Sequence, residues 1–172
     1  MKNNISADQI IEHFGLIPLE IEGGSFIQGY VSSEMIDKRS LPERYHLDKP
    51  MSTAIYYLLT SAPNSFSAMH KLLTDEVFHF YLGDPVELLE LHPDGSSAIS
   101  ILGSEILEGQ KVQHVVKQGV WQGSKIIPGG DWALLGTTMA PGFTIDDFEL
   151  GDSNLLIEKY PDQKELIGKL TR

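Results

Sequence analysis

The chain has no cysteine among its 172 residues, which excludes a disulfide framework, a thiol nucleophile and a thiolate zinc site. Basic residues are also scarce. Thirteen Lys and Arg stand against twenty-four Asp and Glu, a formal charge of −11. Nucleic-acid binding draws its affinity from Lys and Arg neutralising phosphates, so neither nucleic acid nor an anionic membrane surface is an expected partner. The longest apolar run, Ala54 to Leu59, is six residues. A spanning helix needs about 20. No basic-then-apolar leader precedes the first polar residues, so no signal peptide is read and the expected location is the cytoplasm. The sequence holds no G-x-G-x-x-G opening a helix, no G-x-x-x-x-G-K-[ST], no G-x-S-x-G and no H-E-x-x-H. Dinucleotide, P-loop, hydrolase-elbow and zincin chemistry therefore have no footing. Asn4-Ile5-Ser6 matches a glycosylation triplet, but no export signal accompanies it.

What is present fits one globular domain. The composition is 41% hydrophobic and 22% charged, enough apolar material for one core. The expected domain spans residues 1–172, with its core at about 20–150. Ser6 and Gln9 form a capping box ahead of Ile10, Ile11 and Phe14, and Gly15 ends the helix. Short β-like runs follow: Phe26 to Ser33, Met51 to Leu59, Val77 to Leu82, Val86 to Leu91, Val112 to Val116 and Trp132 to Met139. Turn chemistry separates them, as in Gly83-Asp84-Pro85, Pro93-Asp94-Gly95 and Pro128-Gly129-Gly130-Asp131. No helical stretch in the middle is long enough to cover a parallel sheet, so the pattern predicts an all-β antiparallel sandwich or barrel. Leu166, Ile167 and Leu170 predict a short closing helix. The acid-rich segment Asp146 to Glu165 reads as a solvated surface.

The distinctive stretch is His70-Lys71-Leu72-Leu73-Thr74-Asp75-Glu76-Val77-Phe78-His79-Phe80-Tyr81-Leu82-Gly83. It resembles the first motif of the cupin superfamily, H-x-H, three or four residues, Glu, six residues, Gly. Glu76 and Gly83 keep the spacing, His70 takes the first histidine position and Leu72 stands at the second. The second motif, P-x-G-x-x-H, looks like Lys117-Gln118-Gly119-Val120-Trp121-Gln122, where only Gly119 keeps its identity. Thr53 to Leu59, Asp75-Glu76 with His79-Phe80-Tyr81, Gly119-Val120-Trp121-Gln122, Ala140-Pro141-Gly142-Phe143 and Asp147 to Gly151 together resemble an uncharacterised cupin family related to the jelly-roll dTDP-sugar epimerases. Relatives carry an Arg-Glu pair where this chain has Ile27 and Gln28, and Lys49 stands where Arg is expected. The resemblance implies a double-stranded β-helix, the cupin jelly-roll barrel, with short N- and C-terminal helices. It also implies a homodimer and a pocket in the barrel mouth.

The metal site of that superfamily uses three imidazoles and a carboxylate. Leucine cannot ligate and a neutral amide is a poor donor, so Leu72 and Gln122 leave at most His70, Glu76 and Gln122 for a divalent metal. No cofactor is expected. His70 beside Glu76 suits acid–base chemistry, and Tyr57, which shares strand parity with Thr53, supplies a candidate phenol; Tyr56 and Tyr81 stay open. Gln122, Gln113, Thr53, Phe78 and Phe80 are the candidate ligand contacts, with Phe78, Phe80 and Leu82 on the Glu76 side of their strand unless a bulge intervenes. Phe143 is a candidate for closing the mouth, and Trp121 and Trp132 read as core or dimer contacts. The expected function is a metal-independent isomerase or epimerase acting on a sugar or similar small metabolite. The alternative is a non-catalytic small-molecule, carbohydrate-binding protein, and a metal-dependent cupin enzyme ranks third.

Overall fold

The computed structural model describes residues 5–172, so Asn4 of the glycosylation triplet lies outside the described residues. In chain order the elements are α1 (Ala7–Phe14), β1 (Ile17–Pro18), β2 (Ser25–Val31), β3 (Met35–Ile36), β4 (Lys49–Pro50), β5 (Thr53–Thr60), β6 (Ser67–Lys71), β7 (Glu76–Gly83), β8 (Val86–Leu91), β9 (Ser97–Leu102), β10 (Gln113–Val116), β11 (Trp121–Ile126), β12 (Trp132–Met139), β13 (Glu149–Leu150), α2 (Ser153–Lys159) and α3 (Lys164–Lys169). Six strands form one sheet in the order β1-β2-β5-β12-β7-β10. Five form a second in the order β13-β6-β11-β8-β9, and β3 and β4 make a small ribbon. The strands of each sheet pair antiparallel, and the two large sheets face each other as a jelly roll.

Strand alternation divides the apolar residues into three layers. Tyr57, Leu59, Phe78, Val86, Leu88, Val116, Ala133 and Leu135 fill the space between the sheets. The intervening Leu58 and Leu134 point outward and receive Ile10 and Leu16, which seats α1 against the six-stranded sheet. That helix begins as the capping box predicts: Gln9 N–H donates to Ser6 Oγ at 3.2 Å and Ser6 N–H to Gln9 Oε1 at 2.9 Å. On the other side, Met69, Leu89 and Leu91 face out of the five-stranded sheet and are covered by Leu156 and Tyr160 from α2 and by Ile167 and Leu170 beside α3. The sequence reading has the closing helix but not α2, whose start is marked by Asp152 accepting from Leu155 N–H at 3.0 Å.

Besides four two-residue strands, three strands lie outside the strongest apolar runs: β6, β9 and β11. Their serines, glycine and charged residues weaken the pattern, and pairing with neighbours supplies what propensity does not. The acidic stretch also needs correction, because Asp147 is buried rather than solvated. Leu82 departs from the expected inward set. A register shift between Leu134 and Leu135 skips Tyr81 and places Leu82 opposite outward-facing Leu134. Among the described residues, no helix is long and apolar enough to cross a membrane.

Gly83, which ends the first motif, has φ 104°, and a Cβ there would run into the Trp132 carbonyl oxygen. Both conditions demand glycine. Gly83→Ala is expected to destabilise the fold by about 2–3 kcal/mol in denaturant unfolding, because backbone rather than a flexible side chain blocks the added methyl.

Candidate functional site

The site begins with an irregularity in β6. Gln122 of β11 pairs with His70, but Ser124 pairs with Ser67, so β6 carries one residue more than its partner over that stretch. The residues at this bulge bond elsewhere. Ala68 N–H donates to the Glu22 carbonyl at 2.9 Å, Met69 N–H to the Leu170 carbonyl at 2.7 Å, and the Met69 carbonyl accepts from Gly151 N–H at 2.7 Å. The bulge therefore docks the Glu22 loop, the C-terminal segment and the start of the α2 approach on one strand. Its effect on side chains is to turn both Ser67 and His70 toward Glu22. Ser67 Oγ donates to Glu22 Oε1 at 2.5 Å, and His70 Nε2 lies 4.0 Å from Glu22 Oε2.

The imidazole is fixed in tautomer as well as in place. His70 Nδ1 lies 2.7 Å from the Ala68 carbonyl, which only accepts, so Nδ1 carries the hydrogen and the neutral ring presents the Nε2 lone pair. The Phe148 ring stacks on His70 with centroids 5.1 Å apart. Glu76 comes from the facing sheet and is buried, with Oε2 accepting from Gln122 Nε2 at 2.7 Å. Burial raises the Glu76 carboxyl above the ordinary carboxylate range, opposed in part by His70 whenever its ring is charged.

These groups line a cavity of about 400 Å³, within the size range of small-molecule sites. Its polar wall is Glu22, Gln28, Thr53, His70, Glu76, Thr137 and Thr144; Phe26, Ile55, Leu72, Phe143 and Phe148 are prominent on its apolar wall. Among the described residues, no Lys or Arg lines it. The nearest buried cation, Lys49, is fully committed behind the wall. Its Nζ donates to Asp147 Oδ1 at 2.5 Å and to Thr144 Oγ1, with Asp146 Oδ1 at 3.8 Å. Thr53 Oγ1 accepts from Phe143 N–H at 2.9 Å and Gly142 N–H donates to the Pro50 carbonyl at 2.7 Å, so residues 142–148 form a fixed wall of the mouth.

The comparisons agree with this architecture. The family described as Cupin superfamily (DUF985) matches residues 8–151. The chain belongs to the cupin superfamily. A crystal structure of a Shewanella oneidensis protein is 30% identical with a TM-score of 0.85, over 98% of both chains. A hypothetical protein from Leishmania major is 26% identical with a TM-score of 0.85, over 97% of this chain and 99% of that one. A cupin 2 domain-containing protein from Halorhodospira halophila, 9% identical with a TM-score of 0.53, covers 87% of this chain and 83% of its own and shares the fold. No curated protein matches the chain.

Within this cupin the structure brings His70, Glu76 and Thr53 to one cavity, with Gln122 directly behind Glu76. Three other expectations are corrected. Tyr57 faces the barrel interior but does not line the cavity; its hydroxyl donates to the Gly23 carbonyl at 2.9 Å, and burial drives the phenol well above its ordinary value. Phe78 and Phe80 point inward but belong to the packed core beneath the cavity. Gln113 lies on the outer face, with Nε2 3.5 Å from His79 Nδ1. Trp121 and Trp132 pack under the terminal helices, as the core contacts expected of them. Gln28, which stands in place of the relatives' Arg-Glu pair, is part of the wall, and so is Phe143.

Glu22, Phe148 and Thr137 were not anticipated. The only local signal for Glu22 was the Gly23-Gly24 turn after it. The donor set does not fit the usual cupin metal. Leu72 offers no ligand atom, and Gln122 offers only a neutral amide oxygen, a poor donor for a transition metal. Among the described residues, no three His, Asp or Glu side chains cluster to hold an ion.

Two outcomes follow from the buried charges. Lys49→Met leaves Asp147 buried and unpaired, and should cost about 3–5 kcal/mol in chemical denaturation. Adding Asp147→Leu should recover most of that loss. Glu76 holds its proton more tightly folded than unfolded, so its contribution favours the fold in acid and is lost as pH climbs toward the folded value. Glu76→Gln should therefore gain stability over wild type as pH rises from about 4.5 toward the folded value in paired thermal melts, and a pH-independent difference would contradict the assignment.

Proposed function

We propose that this cupin is a metal-independent isomerase acting on a small, uncharged, carbohydrate-like metabolite. The observation that carries the reading is His70, whose Nδ1 is tied to a carbonyl while Nε2 lies 4.0 Å from a Glu22 oxygen in a cavity that Glu76 also lines. A neutral imidazole so held is a general base, and the imidazolium formed on protonation is stabilised by Glu22 and Glu76. A carboxyl raised by burial keeps its proton to higher pH than an ordinary one and can serve as the acid. In the proposed step, His70 Nε2 takes the hydrogen from a carbon next to a carbonyl. The C–H electron pair becomes a C=C bond, and the carbonyl oxygen receives the Glu76 proton, leaving imidazolium, carboxylate and a neutral enol.

Tyr57 is bonded to Gly23 beneath the cavity, so a second proton donor on the opposite face of the substrate is missing from the expected set. That favours proton movement on one face, isomerisation, over epimerisation. The lack of a lining cation disfavours phosphates and nucleotides, which need such anchors. A second reading, non-catalytic binding of a carbohydrate-like ligand, draws support from the wall itself, nine of whose sixteen residues are apolar.

The deciding experiment incubates the protein with aldoses and ketoses in D2O and follows loss of the α-hydrogen signal by NMR. Exchange by wild type that is abolished in His70→Gln, with both proteins melting alike, supports the isomerase. Saturable binding without exchange, tolerant of His70→Gln, supports the binding module instead. We also propose pairing as a homodimer. Its support is the β2 edge, where β1 pairs only with Ser25 and Phe26 and leaves Tyr30 and Val31 exposed. Light scattering should give twice the chain mass at micromolar concentration, and a monomer would remove this proposal.

A further inference from the structure

Glu22 is built into the cavity with more care than a surface acid requires. Its backbone carbonyl accepts from Ala68 N–H at 2.9 Å and from Arg172 Nη2 at 3.4 Å. The next residue, Gly23, has φ 115°, and a Cβ there would collide with the Phe66 carbonyl oxygen, so the turn that aims Glu22 inward needs glycine. The Gly23 carbonyl is in turn held by the Tyr57 hydroxyl, and Ser67 holds Glu22 Oε1. Everything but Oε2 is tied down. Oε2 has the Tyr57 hydroxyl nearby, but that hydrogen goes to the Gly23 carbonyl, and Oε2 faces the Nε2 lone pair of His70 across 4.0 Å.

Two acceptors 4.0 Å apart with no donor between them are not a hydrogen-bonded pair. The gap does suit one substrate carbon bearing both a hydrogen and a hydroxyl: the C–H meets Nε2 while the O–H donates to Oε2. We propose that Glu22 is a substrate-binding and catalytic residue that reads a hydroxyl on the carbon whose hydrogen His70 takes, which makes the ligand class an uncharged α-hydroxy aldehyde or ketone. This rests on the isomerase reading and adds its second half. Once the enediol has formed, Glu22 Oε2 takes the proton of that hydroxyl. The O–H pair becomes the new C=O bond, and the C=C pair takes the proton back from His70 at the neighbouring carbon. Glu76 has then lost one proton and Glu22 has gained one, and exchange with water restores both. Tyr57 becomes a group that holds the Glu22 turn and does not itself move a proton.

The test uses matched sugars that differ only at that hydroxyl: D-ribose with 2-deoxy-D-ribose, and D-glucose with 2-deoxy-D-glucose. Thermal shift reads binding and D2O exchange reads chemistry, in wild type, Glu22→Gln and Glu22→Asp. At least one parent sugar should stabilise wild type more than its 2-deoxy partner, and Glu22→Gln should erase that difference. Exchange on the parent sugar should fall about 100-fold in Glu22→Gln, and by a clearly smaller factor on the 2-deoxy sugar, which loses only the carboxylate's support of the imidazolium. Glu22→Asp keeps the carboxylate and should retain part of both effects. Equal losses on parent and deoxy sugars, or no discrimination by wild type, would overturn the assignment. Discrimination in binding that depends on Glu22 but comes without exchange would keep Glu22 as the hydroxyl reader, while removing its proton transfer and the isomerase reading.

Discussion

A single extra residue in β6 sets the geometry on which the rest of the site depends. A regular strand would alternate Ser67 and His70 to opposite faces. The bulge puts both toward Glu22 and frees the Ala68 carbonyl to fix the His70 tautomer. It also leaves three backbone groups that bond to the Glu22 loop, to Leu170 and to Gly151. Unpaired buried amides and carbonyls are costly, so these bonds tie the cavity to the C-terminal segment instead of leaving it at an edge. The imidazole, its carboxylate neighbour and the chain terminus are one connected unit.

Electrostatics then shape what the cavity accepts. Its ionisable wall is Glu22, Glu76 and His70, and its closest buried cation is spent on Asp147 and Thr144. Lys49 acts through the wall, holding the 142–148 segment so that Phe143 and Phe148 keep their places over the cavity. This division puts an anion-neutralising charge in the scaffold and keeps it from the ligand. The result is a small, mostly apolar chamber with acceptors at one end, a surrounding in which a neutral hydroxylated molecule is better matched than a phosphate.

Much of the fold was legible in the residues. The Ser6–Gln9 capping box, the turns at Gly83-Asp84-Pro85 and Pro93-Asp94-Gly95, and the alternation through Thr53 to Thr60 all correspond to elements of the structure. So does the pairing of His70 with Glu76 around one cavity, which came from motif spacing. What stayed hidden depended on long-range registration. Glu22 is 48 positions from His70 in sequence and meets it only through the bulge. Phe78 and Phe80 have the right parity yet sit too deep, because parity gives a side and not a depth. Gln113 and Leu82 face outward for reasons of register that no local pattern encodes. Asp146 and Asp147 read as solvated because their partner, Lys49, is nearly one hundred residues away.

The most direct measurement of the central claim is the protonation of the His70 ring in the ligand-free protein. Two-bond 1H–15N correlation NMR near neutral pH distinguishes the two tautomers by their nitrogen shifts. The account predicts that Nδ1 carries the hydrogen and Nε2 is bare, as the bond to the Ala68 carbonyl requires. A ring protonated at Nε2 alone would place a donor where the base should be, and would contradict it.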